Sequence, residues 1–272
     1  MSNPALKNNP ALNGKTMSAE DLNRIYSMPA ATVQAANATQ QTLPRGAQTS
    51  TDPMTYEDTI HKTAFLLIIT IATAAVGWFF PILMFPGMII GLVFGLINSF
   101  KKEPNVALIM LYAAFQGLFL GGISGILEAQ SGGIVLQAVM GTMIVFAVTL
   151  LLFRSGKVRT SPKMTKIVLI AMTGYLLFSL VNFGLMMTGV SQDPWGLRTG
   201  VTIAGIPLGV IIGVVVIFLA AYSLVMDFEF VKNGVESKAP RRYGWSAAFG
   251  LMVTLIWLYI EILRLLSILR NN

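Results

Sequence analysis

Seven long apolar stretches dominate the sequence and limit its possible folds. A membrane-spanning helix requires about 20 mostly apolar residues, because the hydrocarbon core of a bilayer is about 30 Å thick. Charged residues make up 11% of the chain, against about 25% in a soluble domain. We therefore predict an all-α integral membrane protein, a bundle of seven transmembrane helices in a lipid bilayer. The predicted spans are about 63–80, 85–100, 105–127, 133–153, 164–188, 203–227 and 246–269.

The first 54 residues differ from the rest in composition. They are rich in Asn, Ala, Thr, Gln and Pro and contain no continuous apolar core, so they cannot bury enough surface to offset the loss of chain entropy. We predict a disordered cytoplasmic tail over residues 1–54 and a transmembrane domain over 55–272. Two capping-box patterns, SAED (18–21) and TYED (55–58), predict local helix starts. We expect the second to begin a short interfacial helix before the first span.

The distribution of lysine and arginine predicts the orientation. If the spans alternate, sixteen of the nineteen basic residues fall on one side of the membrane, and only Arg198, Arg264 and Arg270 fall on the other. Lysine and arginine are retained in cytoplasmic loops. We therefore expect a plasma-membrane protein with a cytoplasmic amino terminus and an external carboxyl terminus.

Composition also argues against several functions. The basic residues lie in short loops between apolar spans, which favours membrane topology over nucleic-acid binding. The chain has no cysteine and one histidine, so disulfides, thiolate catalysis and structural zinc are not expected. We find no nucleophile–base pair, phosphate-binding loop or metalloprotease motif, and we predict neither an enzyme nor a bound cofactor.

Glycines repeat every four residues in three of the predicted spans, at Gly87/Gly91/Gly95, Gly117/Gly121/Gly125 and Gly205/Gly209/Gly213. This spacing keeps each stripe on one helix face, where small residues allow close backbone contact. We expect spans two, three and six to be tightly packed inner helices. Pro207 lies early in span six and is expected in its first turn rather than at a kink.

Six polar residues fall within or at the ends of the spans, and each is a functional candidate because burying a polar group in hydrocarbon is costly. Glu261 and Arg264 are three residues apart, so they can neutralise each other on one helix surface. Asp227 lies near the end of span six. Glu128, at the end of span three, is expected to be an exposed acid, and Asn182 in span five is expected to bond a neighbouring helix. Gln116 lies inside span three and is a further candidate.

A second interpretation pairs Asp227 with Glu261. Spans six and seven are joined by a short basic loop, so they are expected to be antiparallel neighbours. Two carboxylates brought close repel each other, and the pKa of one of them rises. Ionised, such a pair offers oxygen ligands suited to calcium. This interpretation predicts a pH-operated gate or ion site, whereas the Glu261–Arg264 pair would be only structural.

The segments LVMDFEFVKNGVESKAPRRYGWSAAFGLMVTLIWLYIEILRLLSIL (224–269) and YAAFQGLFLGGIS (112–124) resemble the bacterial branch of the Bax inhibitor-1, or transmembrane Bax inhibitor motif, family. The resemblance covers about residues 55–270. It implies a seven-helix bundle with a central last helix and a pH-sensitive calcium leak across the membrane. It also implies a sensor made of one acid on helix six and one on helix seven.

Asp227 matches the first acid of that sensor. The second position is open between two alignments. Matching LYIE places Glu261 there, whereas matching Ala247–Ala248 and Arg264 places Thr254 there. The resemblance also supports an alternative function, because some bacterial relatives are thought to modulate a membrane-anchored protease. The polar tail would then be a docking segment.

Overall fold

The computed structural model describes residues 52–101, 103–189 and 195–270, and within them seven long helices confirm the predicted all-α class. The tail before residue 52, including SAED, lies outside the described residues. All seven helices, the second taken with the 3-10 turn Pro81–Leu83, are long and apolar enough to cross a membrane. Their bounds are α1 Tyr56–Phe79, α2 Met84–Phe100, α3 Val106–Gln130, α4 Ile134–Arg154, α5 Pro162–Met187, α6 Leu208–Glu236 and α7 Tyr243–Arg270.

The start of α1 shows how a local signal fixes a helix end. Thr55 is extended, and its side chain accepts a hydrogen bond of 3.2 Å from the backbone N–H of Asp58. This contact satisfies a donor that the first helical turn leaves unpaired. The TYED capping box therefore begins α1 itself, at Tyr56, and not a separate interfacial helix.

α7 is the central helix of the bundle. It packs against α6, α1, α4 and α3, and it contributes residues to both apolar cores. Ala248 and Met252 lie in one core and Leu258 in the other, and all three side chains are fully buried. The central position of the last helix agrees with the architecture that the family resemblance implies.

The glycine stripes of α2 and α3 each face a neighbouring helix. A Cβ atom built on Gly121 would lie 1.9 Å from the carbonyl oxygen of Ala74 in α1, and one on Gly87 would lie 2.8 Å from that of Phe115 in α3. These helices are in backbone contact, as the spacing predicts. The expectation that α2 is an inner helix is wrong, because among its described residues only Gly87 and Gly91 are buried. The glycines attach α2 to the outside of α3.

The third stripe is interrupted before α6. A one-turn helix, Leu197–Gly200, leads into a two-stranded hairpin, Thr202–Ile203 with Ile206–Pro207. Gly205 has φ +81° in the tight turn of this hairpin, a backbone conformation that favours glycine. It therefore forms the turn and does not belong to a helix-packing stripe. Pro207 directly precedes the first residue of α6, which begins at Leu208. Span six therefore starts later than the predicted residue 203.

The bundle has two chemically different ends. At one end the start of α1, the α2–α3 loop and the α6–α7 loop meet through Asp58–Arg241 and Glu103–Arg242 ion pairs. We call this the basic end, because the described residues place eleven basic side chains there: Lys62, Lys101, Arg154, Lys157, Arg159, Lys163, Lys166, Lys232, Lys238, Arg241 and Arg242. Arg198, Arg264 and Arg270 lie towards the opposite end. The segregation of charge agrees with the sequence prediction.

Candidate functional site

Asp227 lies where α6 meets α7, in the half of the bundle nearer the basic end. The hydroxyl of Thr254 on α7 donates a hydrogen bond of 2.6 Å to its carboxylate. No lysine, arginine or histidine of the described residues forms an ion pair with it. In this contact the charge of the carboxylate is therefore not balanced by a basic side chain, and its hydrogen-bond donor is the neutral hydroxyl of Thr254.

The backbone of α7 lies close to Asp227 on the other side. A Cβ atom on Gly250 would lie 3.2 Å from its Oδ1 atom, so the missing side chain lets α7 approach the carboxylate closely. Two residues further along α6, the Oε2 atom of Glu229 is buried without a hydrogen-bond partner. Positions two apart lie on different faces of a helix, so the acid that α6 presents to α7 at this junction is Asp227.

The predicted convergence of Asp227 with Glu261 is wrong in the structure. Thr254, and not Glu261, is the α7 residue that faces Asp227. Glu261 is seven residues further along α7, which corresponds to about 10 Å along the helix axis. Of the two alignments, the structure thus favours the one that places Thr254 opposite Asp227.

Glu261 is enclosed by partners of its own. It is 1% exposed. Arg264 donates to both of its oxygens, at 3.0 and 3.1 Å, Trp257 donates its indole N–H at 3.2 Å, and the hydroxyl of Tyr175 on α5 also donates to it. The structural interpretation of the Glu261–Arg264 pair agrees with this geometry, since charge and hydrogen bonds are both satisfied.

A second buried arginine extends this network. Arg198 is 4% exposed, and its guanidinium donates to the hydroxyls of Tyr175 and Ser179, both at 3.0 Å. It also lies 5.2 Å from the centre of the Tyr175 ring. Tyr175 therefore bridges Arg198 on one side to Glu261 and Arg264 on the other, and it ties α5 to the bundle.

Sequence reasoning missed Tyr175, Ser179 and Arg198. The sequence does single out Arg198 in one respect, because it is the only basic residue between predicted spans five and six. Tyr175 and Ser179 are four residues apart on one face of span five, but hydroxyl residues are common enough in membrane helices that this spacing alone indicates nothing. Only the position of Arg198 beside that face makes them partners.

Asn182 holds the segment that follows α5 instead of a neighbouring long helix. Its Oδ1 atom accepts a hydrogen bond of 2.7 Å from the N–H of Leu197, and its Nδ2 atom donates to the carbonyl of Trp195 at 3.2 Å. Gly196, between them, has φ +62°, and a Cβ atom there would lie 2.4 Å from Asn182 Oδ1. The amide therefore shapes the turn that carries Arg198 into the bundle.

The last two candidates have local roles. Glu128 accepts hydrogen bonds from the backbone N–H groups of Gly133 and, at 2.9 Å, Val135. It thus satisfies donors at the start of α4, where a carboxylate is favoured, instead of being a free surface acid. Gln116 on α3 packs against Gly91, whose Cβ position would be 3.3 Å from its amide carbon.

The basic end carries a clasp, which we define as the contacts between residues 52–62 and the α6–α7 loop. The N–H of Met54 donates to the carbonyl of Ala239 at 2.7 Å, and the N–H of Arg241 donates to that of Asp52 at 2.9 Å. Asp58 binds both Lys62 and Arg241. The hydrogen bond and charge of Asp58 raise the pKa of the Arg241 guanidinium. Residues 52–54, assigned above to the tail, are thus ordered against this loop.

The described residues contain no cluster of three or more histidine, aspartate or glutamate side chains that could hold a metal ion. A cation at Asp227 would therefore be bound by few protein ligands from this part of the chain. Oxygen ligands of this kind suit calcium.

A family model described as Bax inhibitor 1 like matches residues 3–271, nearly the whole chain. No curated protein matches the sequence.

Proposed function

Because the chain belongs to the Bax inhibitor 1 like family, we propose that it is a pH-sensitive leak channel for cations, with calcium as the transported ion. The observation that carries this proposal is the Asp227 carboxylate between α6 and α7, bound to Thr254 and without a basic partner among the described residues. A carboxylate held this way can receive a cation or a proton.

Protonation of Asp227 would change the contact between the two helices. The ionised carboxylate can only accept, so the Thr254 hydroxyl must donate to it. A protonated carboxyl carries its own donor and can give a hydrogen bond to a different acceptor. The junction between α6 and α7 would then rearrange, and a hard cation would lose an oxygen ligand. This provides both an ion contact and a proton-dependent gate at one residue.

Glu261 and Arg264 have a different role in this proposal. Their charges are compensated within the cluster that contains Tyr175, and all of Glu261's contacts are made inside the bundle. We assign them to the fixed part of the protein, where they hold α5 and α7 together while the junction at Asp227 moves.

The orientation forms part of the proposal. The basic end would face the cytoplasm of a plasma membrane, because lysine and arginine are retained on that side. Asp227 then lies in the cytoplasmic half of the bilayer, and the carboxyl terminus lies outside.

Calcium flux into liposomes tests the proposal. The purified protein is reconstituted with a calcium-sensitive dye inside, and flux is measured between about pH 6 and pH 8, around neutrality. We expect flux above that of protein-free liposomes and a pH dependence that Asp227→Asn abolishes. Glu128→Gln, which alters an acid at the opposite end, is the matched control and should keep the pH dependence. Absence of flux, or an unchanged pH profile in Asp227→Asn, contradicts the proposal.

The clasp supports a second candidate function, a membrane regulatory protein that modulates a membrane-anchored protease. Residues 52–58 connect the preceding tail to the loop between α6 and α7. A partner that binds the tail could therefore act on the helices that carry Asp227 and Thr254. Deleting residues 1–50 separates the two functions: a leak survives the deletion, whereas association with a protease is lost.

A further inference from the structure

A lateral crevice separates α1 from α4. It consists of a cavity of about 310 Å³ near the basic end and one of about 630 Å³ towards the opposite end, and Leu67 lines both. Leu251 on α7 lies at the bottom of the smaller cavity, and Leu255 lies at the bottom of the larger one. The central helix can therefore be reached from the side of the bundle.

The smaller cavity has the length of one bilayer leaflet. On α1 it is lined from Tyr56 to Leu67, a distance of about 17 Å at 1.5 Å per residue. One leaflet, which is half of a hydrocarbon core about 30 Å thick, has a similar thickness. A ligand seated there would have one end at the membrane surface and the other near the middle of the bilayer.

The walls of the smaller cavity require an apolar occupant. Phe146, Leu150 and Phe228 line it. Two threonine hydroxyls of the lining already donate hydrogen bonds within α1. Thr59 donates to the carbonyl of Thr55, and Thr63 donates to the carbonyl of Thr59, both at 2.9 Å. An extended hydrocarbon chain fits such a surface, since it leaves no polar group unpaired.

The end of this cavity at the membrane surface is cationic. The Arg159 guanidinium lies 4.4 Å from the ring centre of Phe153, which lines the cavity. Arg154 and Lys157 are exposed close by in the chain, and none of the three forms an ion pair within the described residues. Two acids, Glu57 and Asp58, lie on the first turn of α1. Asp58 is paired with Lys62 and Arg241, so an excess of positive charge remains.

We propose that the smaller cavity is a binding site for an anionic phospholipid of the leaflet at the basic end. Its acyl chain lies between α1 and α4 against Phe146, Leu150 and Leu251, and its phosphate is held by Arg159 with Arg154 and Lys157 nearby. Basic pockets between membrane helices bind anionic headgroups in this way. The proposal does not depend on ion conduction, because Asp227 does not line the cavity.

Native mass spectrometry of the full-length protein in detergent tests this site. Phosphatidylglycerol and phosphatidylcholine with the same acyl chains are added in equal amounts. We expect preferential retention of phosphatidylglycerol, and Arg159→Gln should lower its binding about fivefold, the effect of one basic residue near a membrane surface. Lys166→Gln removes an equal charge from the same end on α5 and should have less effect.

A second pair of variants tests the acyl-chain contact. Ala64 lines the smaller cavity, whereas Ala72 is exposed on α1 outside both cavities. Ala64→Trp fills the cavity and should remove the bound phospholipid, while Ala72→Trp should retain it. Equal retention of the two lipids by the unaltered protein, or equal effects of Arg159→Gln and Lys166→Gln, overturns the proposal. Lipid-free dimers that Ala64→Trp dissociates would also overturn it, because a second copy would then occupy the crevice.

Discussion

The Thr254 hydroxyl and the Asp227 carboxylate are 2.6 Å apart and join α7 to α6 within the half of the bundle nearest the basic end. Among the side-chain hydrogen bonds of the described residues, this contact links the two helices in a region packed by apolar residues such as Leu224 and Leu251. Gly250 lies directly beside it. Small changes at this contact should therefore affect the junction of the two helices.

We expect Thr254→Val to destabilise the protein and Thr254→Ser to restore stability. Valine has nearly the shape of threonine but no hydroxyl, so the carboxylate loses its donor, at a cost of about 1–3 kcal/mol. Thermal unfolding of the purified protein in detergent at fixed pH measures the difference. Equal unfolding temperatures for the valine and serine variants would show that the hydrogen bond contributes nothing.

Glu261→Leu should be more harmful than replacing Glu261 and Arg264 together by leucine. The single variant leaves the Arg264 guanidinium without its acid, and breaking a buried pair costs roughly 3–5 kcal/mol. The double variant removes both charges and should recover part of that loss. Unfolding temperatures of the two variants check this. A double variant less stable than the single one would contradict our assignment of the pair.

Gly121→Ala should weaken the contact of α3 with α1. The new methyl group would lie 1.9 Å from the carbonyl oxygen of Ala74, so the two backbones must separate. Gly184→Ala on α5 is the control, because nothing lies within 4 Å of its Cβ position, and alanine is favoured over glycine in a helix. We expect a lower unfolding temperature for the first variant and an equal or higher one for the second. The reverse order would contradict the backbone contact.

Asp58→Asn should loosen the clasp. The aspartate binds Arg241 and Lys62, and it raises the pKa of Arg241. That arginine therefore stays protonated at every pH below its ordinary titration range, and the ion pair persists as long as Asp58 is ionised. Hydrogen exchange at the Arg241 amide, which donates to Asp52, should accelerate in the variant and, in the unaltered protein, at high salt. Glu57→Gln, one position away, should leave the exchange rate unchanged.

The sequence predicted which segments form helices better than it predicted the residues at which those helices begin. Apolar length located all seven spans, because it is a property of each segment alone. The start of α1 was misplaced by about seven residues, because the first turn of the helix is polar and its signal is the cap at Thr55. Gly205 was assigned to a packing stripe because spacing alone does not distinguish a helical glycine from one in a turn with positive φ.

The sequence by itself determined that the chain forms seven apolar helices with most of its positive charge at one end, because length, hydropathy and charge belong to each segment separately. Only the tertiary structure decided that Asp227 meets Thr254 and that Glu261 belongs to Arg264, Tyr175 and the neighbouring Arg198. The reason is the solvent. A helix surrounded by lipid is apolar on every side, so no alternation of polar and apolar residues marks its inward face. The depth and rotation of each helix, which select the partners, are set by packing against the other six.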